Sequence, residues 1–293
     1  MVIAKVSGGL ANQMFPYAAG RRLAHALGTE LKLDLSGFAD YAGNPDLAPR
    51  KYGLGVFNIQ ERFASAEEVA ALTQGENTLL RRLLGKKPRR PASYVKEKGF
   101  GFDPGVLELS GDVYLQGNWN SEKYFSDISD ILRREFSFKQ APSGKNLELI
   151  EQIASVNAVS LHVRRGDYVS ISKVNEVHGT CSLDYYHRCV EKLAQSVDRP
   201  HFFVFSDDPQ WVMDNLRLSF ASTYVTHNGP DQGHEDLRLM SHCRHHIIAN
   251  SGFSWWGAWL NPDPGKIVLA PKKWFATPKY DTSSLIPEGW LRL

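Results

Sequence analysis

Cysteine is scarce. Cys181, Cys189 and Cys243 are the three in 293 residues, an odd count without a C-x-x-C pair. This excludes a disulfide scaffold and fits a reducing compartment in which all three are free thiols. Also missing is any uncharged apolar run of spanning length, and the opening MVIAKVSGGLANQ reaches glycines before a signal segment could form. The expected location is therefore cytoplasmic, at most peripheral at the inner membrane. Net charge is nearly absent: 34 basic against 32 acidic residues leave +2. No global field then favours nucleic acid, and any anion must be bound locally. There is no D-x-D to hold a divalent ion on a nucleotide diphosphate, and the stretch SHCRHH places His242, Cys243, His245 and His246 at a spacing that matches no common metal motif. No metal is expected. The glycine loop near the start lacks the full G-x-G-x-x-G spacing, which disfavours a dehydrogenase.

What is present is an α/β rhythm. An apolar strand at Ile3 to Val6 runs into SGGLANQ, and Phe15, Ala19, Leu23 and Leu27 then recur at helical spacing up to Gly28. Leu31, Leu33 and Leu35 alternate as the next strand, so a parallel β-α-β crossover opens the chain. The stretch EKYFSDISDILRREF reads as a helix after a strand at Val113 to Gln116. The basic run Lys86 to Pro91 reads as a loop, either a solvated linker or a patch for anionic lipid or a lipid-linked acceptor. Pro142 and Gly144 interrupt the pattern and set the expected boundary between domains 1–143 and 144–293.

Beyond it, strands at Ala158 to Val163, Phe202 to Phe205, Thr223 to Val225, His246 to Ala249 and Ile267 to Leu269 alternate with helices near 183–195, 210–216, 235–243 and 253–260. Such alternation implies a doubly wound sheet buried on both faces. Ligands of open parallel sheets bind at the carboxyl ends of the strands, so the residues after each strand are the candidates. They are SGGLANQ with Gly9 and Asn12; RRGDY with Arg164, Arg165 and Asp167; SDDP with Asp207 and Asp208; and NSGFSWWG with Ser251, Phe253 and Ser254. A helix beginning at NSGF would turn free amides and its positive end to an anion. Arginine's fork matches phosphate oxygens in pairs. Together these describe a diphosphate clamp. Each element also has a plainer role, an Arg/Asp ion pair or a helix cap.

Four motifs carry a family resemblance: GGLANQMFPYAAGRRLA at the N-terminus, LHVRRGDYV, HGTCSLDYY from His178, and DLRLMSHCRHHIIANSGFSWWGAWLN from Asp236 to Asn261. In these the sequence resembles the bacterial alpha-1,2-fucosyltransferases of glycosyltransferase family 11. The resemblance implies a GT-B-like fold, with two Rossmann-like domains and a cleft between them. The N-terminal domain would lie on the acceptor side and the C-terminal one would bind GDP-fucose. It further implies metal-independent, inverting transfer of L-fucose to a galactose-containing oligosaccharide. Carried over by motif, Arg165 with Arg164 would hold the diphosphate, His162 and Asp207 or Asp208 would lie by the nucleoside, and Ser254 with the Phe253 amide would touch phosphate. An inverting displacement calls for a general base, for which Asp167 and His178 are the candidates. The sequence departs from the family pattern at Ala11, Pro16 and Gly252, where glycine, glutamine and serine are usual; Pro16 is expected only in a first helical turn. A transferase of another sugar or linkage, or a non-catalytic carbohydrate-binding protein, stays open as an alternative.

Overall fold

A computed structural model describes the chain except residues 42–43, 45–47 and 75–91, so the basic run at Lys86 to Pro91 lies outside the described residues. The chain divides into two compact units. The first is built within Met1 to Ser137 together with Asp281–Leu285, and the second from Phe138–Tyr280 and Ile286–Leu293 with Ala48. The passage from one to the other thus falls slightly before the interruption at Pro142 and Gly144.

The first unit holds a four-stranded parallel sheet in the order β2-β1-β4-β3, formed by β1 (Val2–Lys5), β2 (Leu31–Asp34), β3 (Tyr94–Lys96) and β4 (Val113–Gln116). The expected β-α-β opening is present, with Val2 opposite Leu31 and the helix Leu10–Ala26 as the crossover. That helix lies close to the sheet because Gly20 has no side chain: a Cβ there would meet Leu31 Cδ1 at 2.8 Å and Ala4 Cβ at 3.1 Å. Pro16 departs from expectation, since it sits in the second turn of this helix rather than the first. It removes one hydrogen bond, to the Asn12 carbonyl, and its side chain is buried with Phe15 and Tyr17. Residues 122–128 form short 3₁₀ turns before the helix Ser129–Glu135, not one continuous helix. The physical reason lies at Ser121, whose side chain accepts from the Lys123 amide and fixes a turn.

The second unit is a six-stranded, wholly parallel sheet in the order β10-β9-β8-β5-β6-β7. Its strands are β5 (Asn157–Val163), β6 (Pro200–Ser206), β7 (Ser222–Tyr224), β8 (His245–Ile247), β9 (Val268–Ala270) and β10 (Leu291–Arg292). Two core clusters cover its faces. Val159, Leu161 and Val163 pack with Tyr185, Tyr186 and Leu193 on one side, while Ala158, Phe203 and Phe205 pack with Leu239 and Met240 on the other. This explains why β5 and β6 read as nearly continuous apolar runs. Both units are therefore Rossmann-like α/β layers, and the chain belongs to the α/β class. The helix Gly144–Ser155 is not among the expected elements although Leu149, Ile150 and Ile153 follow helical spacing, whereas the helices Gly166–Ser170 and Ser172–His178 and the short strands β3 and β10 carry too few periodic residues to stand out in sequence. Among the described residues no helix is long and apolar enough to cross a membrane. Cys181, Cys189 and Cys243 are free thiols.

Candidate active site

Chain order reverses at the centre of the second sheet. From β5 the chain builds outward through β6 and β7, and then returns to place β8 on the opposite side of β5. This is the switch point at which open α/β sheets bind ligands, beyond the carboxyl ends of the strands. The loops after β5, β6 and β8 carry most of the residues singled out above.

After β5, Arg164 donates to the Asp167 carboxylate and pairs with Asp207 Oδ2 at 2.6 Å through Nη1. The Arg165 amide donates to Asp207 Oδ1 at 2.8 Å, and its Nε donates to Asp208 Oδ2 at 3.0 Å. The Arg165 guanidinium lies 3.5 Å from the centre of the Trp211 ring. Arg164, Arg165, Asp167, Asp207 and Asp208 thus form one network that joins the ends of two strands, and Gly166 permits it. A Cβ at that glycine would overlap the Asp207 carboxylate. Asp208 also caps the helix Pro209–Asn215, accepting from the Trp211 amide at 3.3 Å. In this arrangement both arginines are ion-paired and all three aspartates are engaged by the protein itself. Partly buried pairs of this kind fix side-chain geometry more than they add stability.

His162, the last inward residue but one of β5, is buried beside Phe253, ring centres 5.6 Å apart. Burial, and then the Arg164 charge, push its pKa down to about 3, so the ring is neutral at physiological pH. Its Nδ1 is buried without a hydrogen-bond partner among the described residues.

After β8 the loop is neutral. Ser251 caps the helix Gly252–Leu260, its hydroxyl accepting from the Phe253 amide at 3.3 Å. Ser254 Oγ accepts from the Ala249 amide at 3.2 Å and donates to the Ser251 carbonyl at 3.4 Å. The Phe253 amide and the Ser254 hydroxyl, singled out for phosphate, are therefore used within the turn. Trp255 and Trp256 are wholly buried and Trp259 nearly so, which makes them core rather than a sugar-stacking surface.

His178, at the end of the helix Ser172–His178, stacks on Tyr168 with ring centres 4.6 Å apart and an interplanar angle of 21°. Burial lowers its pKa; the nearby Asp167 charge opposes this and Arg164 adds to it. His178 therefore stands close to the arginine network and is neutral near neutrality. Tyr168, Trp211 and Asn250 are parts of this site that sequence reasoning missed. For Asn250 a signal existed, a polar residue directly following a short apolar strand at a carboxyl end.

Gly9 and Asn12 belong to the first unit. Gly9 occupies the cap position of Leu10–Ala26 with extended backbone, and Asn12 is exposed on its first turn. His245 and His246 serve the second sheet: His245 Nδ1 accepts from the Ile267 amide at 3.0 Å, and His246 Nδ1 bonds the Ser160 hydroxyl at 2.8 Å.

Comparison with known proteins places the chain in a family. The model of glycosyl transferase family 11 matches residues 93–293. An alpha-1,2-colitosyltransferase of Escherichia coli is 33% identical, the match covering 100% of this chain and 99% of that protein. The O-antigen biosynthesis glycosyltransferase WbnK, also of Escherichia coli, is 31% identical over 98% of this chain and 99% of its own length. Among solved structures, the fucosyltransferase NodZ from Bradyrhizobium aligns at a TM-score of 0.48 with 14% identity, covering 89% of this chain and 93% of that one. With its family match over more than half its length and full-length relatives above 30% identity, the chain belongs to glycosyl transferase family 11 and is a glycosyltransferase.

Proposed function

We propose that the protein is an inverting, metal-independent alpha-1,2-fucosyltransferase, moving L-fucose from GDP-fucose to a galactose hydroxyl of a glycan acceptor. The observation that carries this reading is the pair Arg164 and Arg165 at the switch point, fixed by Asp207, Asp208 and Asp167. Breaking the bond from the sugar's anomeric carbon to the diphosphate oxygen leaves the electron pair, and negative charge, on the leaving GDP. Donors held in advance stabilise that charge without reorganisation. His162 and Asp207 or Asp208 lie toward the nucleoside, and the start of the helix Gly252–Leu260 with Ser251, Phe253 and Ser254 lies toward phosphate. Gly9 and Asn12, at the start of the helix Leu10–Ala26, are further candidates for binding. An acceptor hydroxyl attacks the anomeric carbon from the face opposite GDP and gives up its proton. Asp167 is bound to Arg164 and suits an orienting role, so His178, neutral and next to that network, is the better proton acceptor.

The relatives support the same donor class. A murine galactoside alpha-(1,2)-fucosyltransferase matches over 35% of this chain at 27% identity. The full-length alpha-1,2-colitosyltransferase relative favours a second donor, since colitose is fucose without its 3-hydroxyl. The test is to offer GDP-fucose and GDP-colitose with galactose-terminated acceptors, with and without chelator, and to measure GDP release and product linkage. Faster transfer from GDP-fucose, unaffected by chelator, is expected. Preference for GDP-colitose selects the second donor, and loss of activity in chelator refutes the metal-free route.

A further inference from the structure

We propose that Asn250 is a positioning residue for this reaction: its side-chain amide ties the His178–Gly179 turn to the segment at Trp274 and thereby holds the His178 ring against Tyr168, beside Asp167 and Arg164. The inference rests on the reading of His178 as proton acceptor. Asn250 is 2% exposed. Its Nδ2 donates to the carbonyls of His178 at 3.0 Å, Gly179 at 3.2 Å and Trp274 at 3.1 Å. Its Oδ1 accepts from the Cys181 thiol at 3.5 Å, and its backbone carbonyl accepts from the Tyr168 hydroxyl at 3.3 Å. One buried side chain and its own carbonyl therefore reach both members of the Tyr168–His178 stack.

A proton-moving imidazole is commonly oriented by a hydrogen bond at its second nitrogen. His178 lacks that support, because its Nδ1 is buried without a partner among the described residues. Orientation must come from the stack on Tyr168, the Phe275 ring 5.3 Å away, and the fixed position of the backbone. The backbone is fixed twice more. Ala276 donates to the Val177 carbonyl at 2.9 Å. Gly179 adopts φ 61° and ψ −178°, open to glycine but strained for other residues, and a Cβ there would lie 3.3 Å from that of Ala276.

The test is a double-mutant cycle on the full chain with GDP-fucose and a galactose-terminated acceptor. Asn250→Ala is expected to lower kcat about 10- to 100-fold, a share of what a general base supplies, with GDP affinity changed by less than about 3-fold. The acid limb of its kcat profile should move to higher pH, because a ring released into water regains the ordinary imidazole value. In a His178→Gln background the same substitution should cost less than about 2-fold, since the two residues act as one unit. Independent losses that multiply, or an unmoved acid limb, would overturn the proposal. Gly179→Ala displaces the turn while keeping the Asn250 side chain and runs the same cycle should Asn250→Ala fold poorly. If neither GDP-fucose nor GDP-colitose is turned over, the functional reading fails separately. An NMR titration of His178 in either variant then decides: an upward move of its pKa supports the positioning role, and an unchanged value contradicts it.

Discussion

The loop after β1 and the loop after β5 follow equivalent strands of two parallel sheets, yet they are held by different chemistry. The first is held by Gln13 of the helix that follows it, which is wholly buried and satisfies three backbone groups: it donates to the carbonyls of Gly8 at 2.8 Å and Lys51 at 2.9 Å and accepts from the Gly53 amide at 2.9 Å. In the second, two arginines are tied to three aspartates. A neutral amide fixes a backbone and is indifferent to pH and salt. A charged network fixes side chains that also have an electrostatic task, at the cost of sensitivity to both. On the function proposed above, ligand chemistry is concentrated after β5, while Gln13, like Asn250 in the second unit, builds the frame.

The largest effect that tests this contrast is on turnover. Arg165→Ala should lower kcat by roughly 10²-fold or more, as for removal of one preorganised transition-state donor, and Arg165→Lys should recover little because an ammonium lacks the fork. Steady-state kinetics with GDP-fucose would show it, and near-normal turnover of Arg165→Ala would remove that residue from the clamp.

Next in size is acid sensitivity. His162 is neutral in the folded protein with its pKa pushed down to about 3, so the unfolded chain binds the extra proton first. Stability from this group is complete above about 6.5 and drains away as pH falls towards 3. Urea unfolding between pH 7 and 4 should lose less stability in His162→Gln than in the wild type; equal losses would deny the buried histidine its role. Gln13→Ala should instead destabilise by about 2–3 kcal/mol at every pH, from buried groups left unpaired. Smallest is Ser251→Ala, expected to cost about 1 kcal/mol of stability as a lost helix cap, read in the same unfolding assay.

Much of this organisation was legible in the residues. Val159, Leu161 and Val163 announce a buried strand because they alternate within an apolar run, and Arg164 and Arg165 mark where it ends. The partners of those arginines were not legible, since Asp207 and Asp208 follow β6, some forty residues away, and only the β5–β6 register brings them together. The turns at 122–128 escaped because Tyr124, Phe125 and Ile128 mimic helical spacing while Ser121 imposes a turn. Pro16 escaped because packing against a sheet outweighs one missing hydrogen bond. Asn250 escaped for a different reason: nothing in its sequence neighbours shows that its amide reaches Trp274.

The most direct measurement is product analysis by NMR after incubation of the wild-type protein with GDP-fucose and a galactose-terminated oligosaccharide. One fucose in alpha-1,2 linkage per GDP released is the result predicted. An unmodified acceptor in the presence of GDP-fucose and of GDP-colitose alike, or a product of retained anomeric configuration, would contradict it.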